Sequence, residues 1–394
     1  MSDWVRPLAA GWVVRGEVPG PDVDEFAEPD RVRAALARTT RRGTLLAVQH
    51  PHRTPTALAA GLDMASALPD ARATLNSLLR QDYRPVTDVV APYWVDGPDG
   101  SAYGVLCLVD PAAADPDGLL RVRSSEEVYP DVARERADAL TGLGVATSAA
   151  LMVPVAGADE LTTAVRAGIT AAGDPVVFTV DSMGRRHRMW LLGQTPERDD
   201  LLDAVRSHPL LVADGNHRVA AATAAGLSGM LALVSTGPDL RIGSFHRVLI
   251  GTGLDAAALA AAWRRVGLHV EDLGGDLAAA TPPLTPGTVV VRCASRVLRV
   301  LLPPPDPGAD TPRIDHAVVE GLLLDTALGL DAEGPHVRPL PAGRELPADA
   351  DAVLLLAPVP LADVRAVHSA GLRMPRKSTY FTPKPRSGLL LAAL

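Results

Sequence analysis

The stretch Leu210-Leu211-Val212-Ala213-Asp214-Gly215-Asn216-His217-Arg218 decides how the middle of this chain folds. Leu210 to Ala213 is a short apolar run suited to a buried strand, and Asp214-Gly215 suits a tight turn. The alanine-rich Val219 to Leu227 reads as a helix, with Gly226 near its end as the stop signal. A strand therefore feeds a helix through a turn. The first helical turn leaves backbone N–H groups unpaired and carries the positive end of the helix dipole, so an anion such as phosphate is favoured there. Arg218 reinforces that preference. Asp214 has the chemistry to hold a metal ion or take a proton from a hydroxyl, and His217 that to shuttle protons or bind a phosphate oxygen. The plainer reading is a helix cap at Asp214, with His217 and Arg218 on a solvated face.

At 394 residues the chain exceeds what one core usually serves, and two or three domains are expected. The pattern divides into α+β units at residues 1–115, 116–252 and 253–394. In the first, Gly43 to Gln49 reads as a strand, Pro55 to Arg80 as largely helical, and Tyr93 to Val95 as a hairpin with Tyr103 to Val109. In the second, Ser125 to Leu140 has helical character. Leu151 to Val155, Pro175 to Val180, His187 to Leu192 and Leu231 to Ser235 read as strands. In the third, Ala256 to Trp263 is a helix and Gly287 to Leu302 gives two strands. Ile314 to Leu328 is an amphipathic helix and Ala352 to Ala357 a buried strand.

The net charge of −8 and the lack of a Lys/Arg-dense run argue against nucleic acid as a partner, so a small-molecule ligand is expected. No apolar run approaches the ~18 residues of a membrane span, and Met1 to Arg6 lacks a signal-peptide profile, which predicts a cytoplasmic protein without membrane contact. A homo-oligomer is left open. Cys107 and Cys293 are far apart in apolar surroundings and read as core residues; Trp190 reads likewise. His50-Pro51-His52 lacks a third metal ligand and reads as a loop. His246 and Arg247, on a strand-like stretch, either line a site or are structural. Lys377 and Lys384 are the only lysines of the chain. With Ser378 and Thr379 they suit a phosphate clamp, the alternative being a Pro-stiffened structural tail.

Five segments in order resemble one known family: Ser125 to Pro130 with Glu135-Arg136, His187 to Trp190, Ala213 to Arg218, His246-Arg247, and Met374 to Gly388. Ala213 to Arg218 looks like its DGHHR box, and the last segment like its Met-Pro-x-Lys-Ser-Thr-x-Phe-x-Pro-Lys motif. The chain is thus identified as a member of the domain-of-unknown-function family ten-fifteen, in the ParB/sulfiredoxin-like superfamily. That resemblance implies an α+β fold with a ParB/sulfiredoxin-like central domain. It also implies a likeness to free serine kinases, which phosphorylate free L-serine with ATP or ADP.

By this likeness Asp214 is the box acid, and Glu126 or Glu127 the upstream acid. Neighbours on a helix point about 100° apart, so one of the two faces a site, and Glu126 is preferred. Asn216 and Ser125 stand where relatives carry His, so neither position has a titrating imidazole. The implied assignment makes Asp214, Glu126 and His217 catalytic, with Asp214 and Glu126 also holding Mg²⁺. Gly215, Asn216, Arg218, Lys377, Ser378, Thr379 and Lys384 would bind nucleotide phosphates, and His246, Arg247 and Glu127 the acceptor. The alternatives are a non-catalytic nucleotide-binding regulator and a nucleotide hydrolase using the same pocket.

Overall fold

A computed structural model describes residues 3–22, 29–38, 43–126, 128–237 and 239–394. The fold is α+β, as expected, and the chain divides into two compact units. One comprises residues 1–124, 128–241 and 382–394, the other residues 125–127 and 242–381.

Among the described residues the first unit has a mixed nine-stranded sheet. Its path runs Val122–Arg123, Leu210–Asp214, Ala150–Pro154, Met230–Thr236, Gly100–Val109, Ala91–Gly97, Arg186–Met189, Val177–Val180, and Val5–Arg6 also pairs with Gly100–Val109. Met230–Thr236 lies antiparallel to Gly100–Val109 along its whole length, with Val105, Cys107, Val109, Ala232 and Val234 in one core. The expected boundary at residue 115 therefore falls inside a shared core. A Pro/Asp-rich loop reads the same in sequence whether it joins domains or neighbouring strands. A four-stranded sheet, ordered Tyr83–Val89, Leu8–Val14, Leu390–Ala393, Val145–Ala146, draws the chain's last strand into the same unit.

The second unit is built on a six-stranded antiparallel sheet, ordered His269–Gly274, Val297–Leu301, Thr288–Cys293, Ala350–Leu355, Phe245–Ile250, Val337–Pro341. Its core surrounds Trp263, whose indole N–H donates to the Leu323 carbonyl at 3.1 Å.

Three local expectations are corrected. Gly43 to Gln49 is not a strand: Leu45–Gln49 is a short helix, started by Thr44, whose hydroxyl accepts the Ala47 N–H at 3.3 Å. Its Leu45, Leu46 and Val48 are buried, and a brief apolar run of this kind has no periodicity to separate helix from strand. The helix expected from Ser125 instead spans Pro130–Leu143, with proline at its first position, where a missing N–H costs nothing. Glu126 thus lies outside that helix, and Glu127 outside the described residues. The helix expected at Ile314 to Leu328 starts after the cap Ile314, and it is α only at its ends: Val319–Thr326 is wound as a π-helix between Asp315–Val318 and Ala327-Leu328.

Cys107, Cys293 and Trp190 are buried as expected, and burial raises the two thiol pKa values to about 12 and about 11. Among the described residues no helix is long and apolar enough to cross a membrane.

Three histidines sit where burial first, and neighbouring positive charges second, lower their pKa from 6.5: His50 to about 3, His246 to about 4, His316 to about 3. The unfolded chain binds protons at these positions at higher pH than the folded one, so stability rises with pH across that interval. The thermal unfolding midpoint is expected to be flat above about pH 7 and to fall as pH drops from about 6.5 toward 4. A midpoint constant across that window contradicts the buried neutral state.

Candidate functional site

The strand Leu210–Asp214 ends on a β-bulge. Val212 is opposite Met152 and Asp214 opposite Leu151, which leaves Ala213 as the extra residue. Side chains two apart on a regular strand share a face, so without the bulge Asp214 would point the way of Val212, which is fully buried. The bulge turns the carboxylate outward, to 33% side-chain exposure.

Gly215 follows at φ 94° and caps the helix Asn216–Ala224, and as a glycine it contributes no side-chain cap of its own. A Cβ there would lie 2.7 Å from Arg218 Nε, so glycine is required both by the left-handed backbone and by the close approach of Arg218.

Asp214 is gripped on both oxygens. Lys384 Nζ lies 2.8 Å from Oδ1, and an Arg218 Nη lies 2.7 Å from Oδ2. The other Arg218 Nη donates to the Ala149 carbonyl at 2.6 Å and to the Ser148 hydroxyl, which meets the Ser387 hydroxyl at 3.1 Å. The contacts close a ring: Asp214, Lys384, the chain to Ser387, Ser148, Arg218 and back. Arg136, exposed as a residue, has its guanidinium pKa lowered by desolvation and by the charge of Arg218, against the pull of Glu135 and Asp214. Positive charge is therefore concentrated at this helix start, as anion binding requires.

His217 stacks on Tyr129 with ring centroids 5.8 Å apart, and its Nε2 accepts the Tyr129 backbone N–H at 3.3 Å. That acceptor role places the ring proton on Nδ1. Asn216 is buried at the helix start.

The remaining expected residues belong to the second unit. Glu126 forms a parallel bridge with Met374, whose N–H donates to the Ser125 carbonyl at 2.9 Å, so Glu126 lies beside the segment carrying Lys377. Lys377 adopts φ 50°, and its ammonium is 5.9 Å from the Phe245 ring centroid. The Ser378 hydroxyl donates to the Pro375 carbonyl at 2.6 Å, and Thr379 is buried. Arg247, almost fully buried, is paired with Glu320 Oε1 at 2.5 Å and donates to the Arg376 and Lys377 carbonyls at 3.0 and 3.1 Å. His246 Nδ1 accepts the Leu356 N–H at 3.2 Å.

Two cations already hold the two oxygens of Asp214, a donor set that does not fit Mg²⁺: the metal would approach the same atoms against two positive charges. Among the described residues no group of three or more His, Cys, Asp or Glu is arranged for a metal ion.

Ser148, Ser387 and Arg136 were not among the expected site residues. Ser387 lies within the lysine-bearing segment, and Arg136 beside Glu135 in one of the segments that carry the sequence resemblance. Ser148 carries no local signal and reaches the site only because strand Ala150–Pro154 pairs with Leu210–Asp214.

The model of a family described as protein of unknown function (DUF1015) matches residues 71–306, more than half of the chain. The chain belongs to the DUF1015 family. No curated protein matches it significantly. Among solved structures, this DUF1015 chain is similar to a free serine kinase in complex with AMP, at 12% identity and TM-score 0.37, covering 75% of this chain and 93% of that one. A conserved hypothetical protein from Pyrococcus furiosus aligns at 13% identity and TM-score 0.37, over 72% of this chain and 93% of that one. SbnI with a C-terminal truncation from Staphylococcus aureus aligns at 13% identity and TM-score 0.40, over 71% and 84%.

Gly215→Ala is expected to lower the unfolding free energy by about 1–3 kcal/mol, because it forces a side chain into a left-handed position against Arg218. The urea midpoint at unchanged slope reads this out; a variant as stable as the parent contradicts the cap geometry.

Proposed function

We propose that this chain is a nucleotide-dependent phosphotransferase that phosphorylates the hydroxyl of a small metabolite, free L-serine or a related hydroxy amino acid, in the manner of the DGHHR-box kinases of the ParB/sulfiredoxin-like superfamily. The observation that carries this reading is one carboxylate, Asp214, held by Lys384 and Arg218 at the start of a helix whose cap residue is Gly215. Phosphoryl transfer needs positive groups on the phosphate oxygens and an acceptor for the hydroxyl proton, and these are the parts assembled.

In the ligand-free protein each cation has Asp214 as its anion. A nucleotide's phosphate oxygens compete for the same two cations and loosen their hold on the carboxylate. Asp214 then accepts the acceptor's hydroxyl proton while that oxygen bonds to phosphorus and the bond from phosphorus to the leaving phosphate oxygen breaks. Asp214 is therefore a placeholder anion first and a base second. The family resemblance adds Glu126 as the second acid, and the same resemblance supports ATP or ADP as donor.

Asp214→Asn is expected to abolish turnover, a loss of at least about 10²-fold for a general base. The same change removes the competing anion, so nucleotide binding by calorimetry should persist. Glu126→Gln should also reduce turnover without abolishing binding. Full activity of Asp214→Asn with ATP or ADP across a panel of hydroxy amino acids removes the mechanism. Nucleotide binding by the parent without any turnover favours a regulatory binding protein instead.

A further inference from the structure

A second polar array in the first unit is buried, continuous and so far without a role. Tyr93 and His187 are essentially inaccessible, and the Tyr93 hydroxyl lies 2.6 Å from His187 Nδ1. His187 Nε2 lies 3.2 Å from Asp181 Oδ2. At the other end, the Arg386 backbone N–H donates to the Tyr93 oxygen at 3.2 Å.

An amide N–H only donates, so the tyrosine oxygen accepts from Arg386. In the tautomer with its proton on Nε2, the imidazole donates to the Asp181 carboxylate, and Nδ1 then accepts the Tyr93 O–H. Burial pushes the Asp181 carboxyl up, but the His187 hydrogen bond, the Arg185 N–H and the Arg185 guanidinium outweigh it and hold it at about 2, so it stays an acceptor.

Burying polar side chains costs free energy unless their hydrogen bonds are made, and a buried network whose bonds are made holds its members in one arrangement. Its terminus shows what else that arrangement holds. Arg386 is two residues from Lys384 and one from Ser387, both members of the ring around Asp214. Asp22 fixes the same arc from another side, accepting the Ser387 N–H at 3.0 Å and pairing with the Arg386 guanidinium at 3.1 Å. The cavity that Tyr93, Ser148, Arg386 and Ser387 help to line is about 20 Å³, room for roughly one water, so the arc has little freedom to shift.

We propose that Asp181, His187 and Tyr93 are positioning residues that set Lys384 against Asp214 through the Arg386 amide. The inference rests on the reading of Lys384 as a phosphate ligand for its functional meaning, but the positioning itself is testable without any nucleotide.

Because the chain has two lysines, labelling lysine Cε with carbon-13 gives two signals, assigned with Lys384→Arg. In the ligand-free full-length protein, Tyr93→Phe is expected to move the Lys384 signal toward its position in Asp214→Asn and to leave Lys377 in place. Asp181→Asn, which keeps the side-chain volume, should move it the same way by less and stands as the second variant if Tyr93→Phe folds poorly. ADP affinity should weaken about fivefold in Tyr93→Phe, the scale of one neutral hydrogen bond. A Lys384 signal unmoved by either change, or both lysine signals moving alike, overturns the proposal. A parent Lys384 signal that ignores added ADP removes the phosphotransferase reading, while the ADP-free spectra still decide the positioning role.

Discussion

The site depends on one ion pair made across 170 residues of sequence, between the Asp214 carboxylate and the Lys384 ammonium. Lys384 is largely buried, so its charge needs a counter-ion held in place, and Asp214 supplies it only because a β-bulge turns that carboxylate away from the core face. Lys384 is brought there because the chain's last strand, Leu390–Ala393, is an inner strand between Leu8–Val14 and Val145–Ala146. The charged ring therefore lies beside a pairing of the two ends of the chain in one sheet, a high-separation contact whose loop closure costs entropy.

Charge balance at this ring explains its composition. Lys384 and Arg218 pair with the Asp214 carboxylate, which also acts on Arg136, whose pKa is lowered by desolvation first and by the Arg218 charge second. Positive groups held this close repel unless an anion stands among them. In the ligand-free state that anion is Asp214. The compact lysine ammonium and the forked guanidinium then occupy one oxygen each, which leaves the hydroxyls of Ser148 and Ser387 to complete the ring.

The second unit braces the segment carrying Lys377 by a different device. A buried arginine, Arg247, ties the carbonyls of Arg376 and Lys377 to Glu320 on the π-wound helix. Its donors thus constrain backbone rather than a ligand, and Lys377 sits at a positive φ within the tethered segment. Ser378 likewise turns its hydroxyl onto the Pro375 carbonyl. Residues that look alike in sequence, hydroxyls and cations near a lysine, thus divide between those that brace the chain and those that face outward.

The sequence by itself determined the strand, turn and helix at Leu210 to Ala224, the hairpins, several helices and the family, because alternation, glycine and capping residues act over a few neighbours and leave a local record; the helices Ala158–Ala172, Pro196–Arg206 and Leu361–Ser369 were not read from it. It misread Gly43 to Gln49, where a short apolar run has no period, and began the helix at Ser125 too early by overlooking Pro130 as a first-turn residue. Only the tertiary structure decided that residues before and after 115 share one core, that a bulge aims Asp214 outward, that Ser148 and Ser387 join the site, and that Tyr93 and His187 reach Arg386. Each of these is a pairing between segments far apart in the chain, fixed by sheet register and by burial of polar groups. No short-range pattern encodes which distant strand will lie alongside.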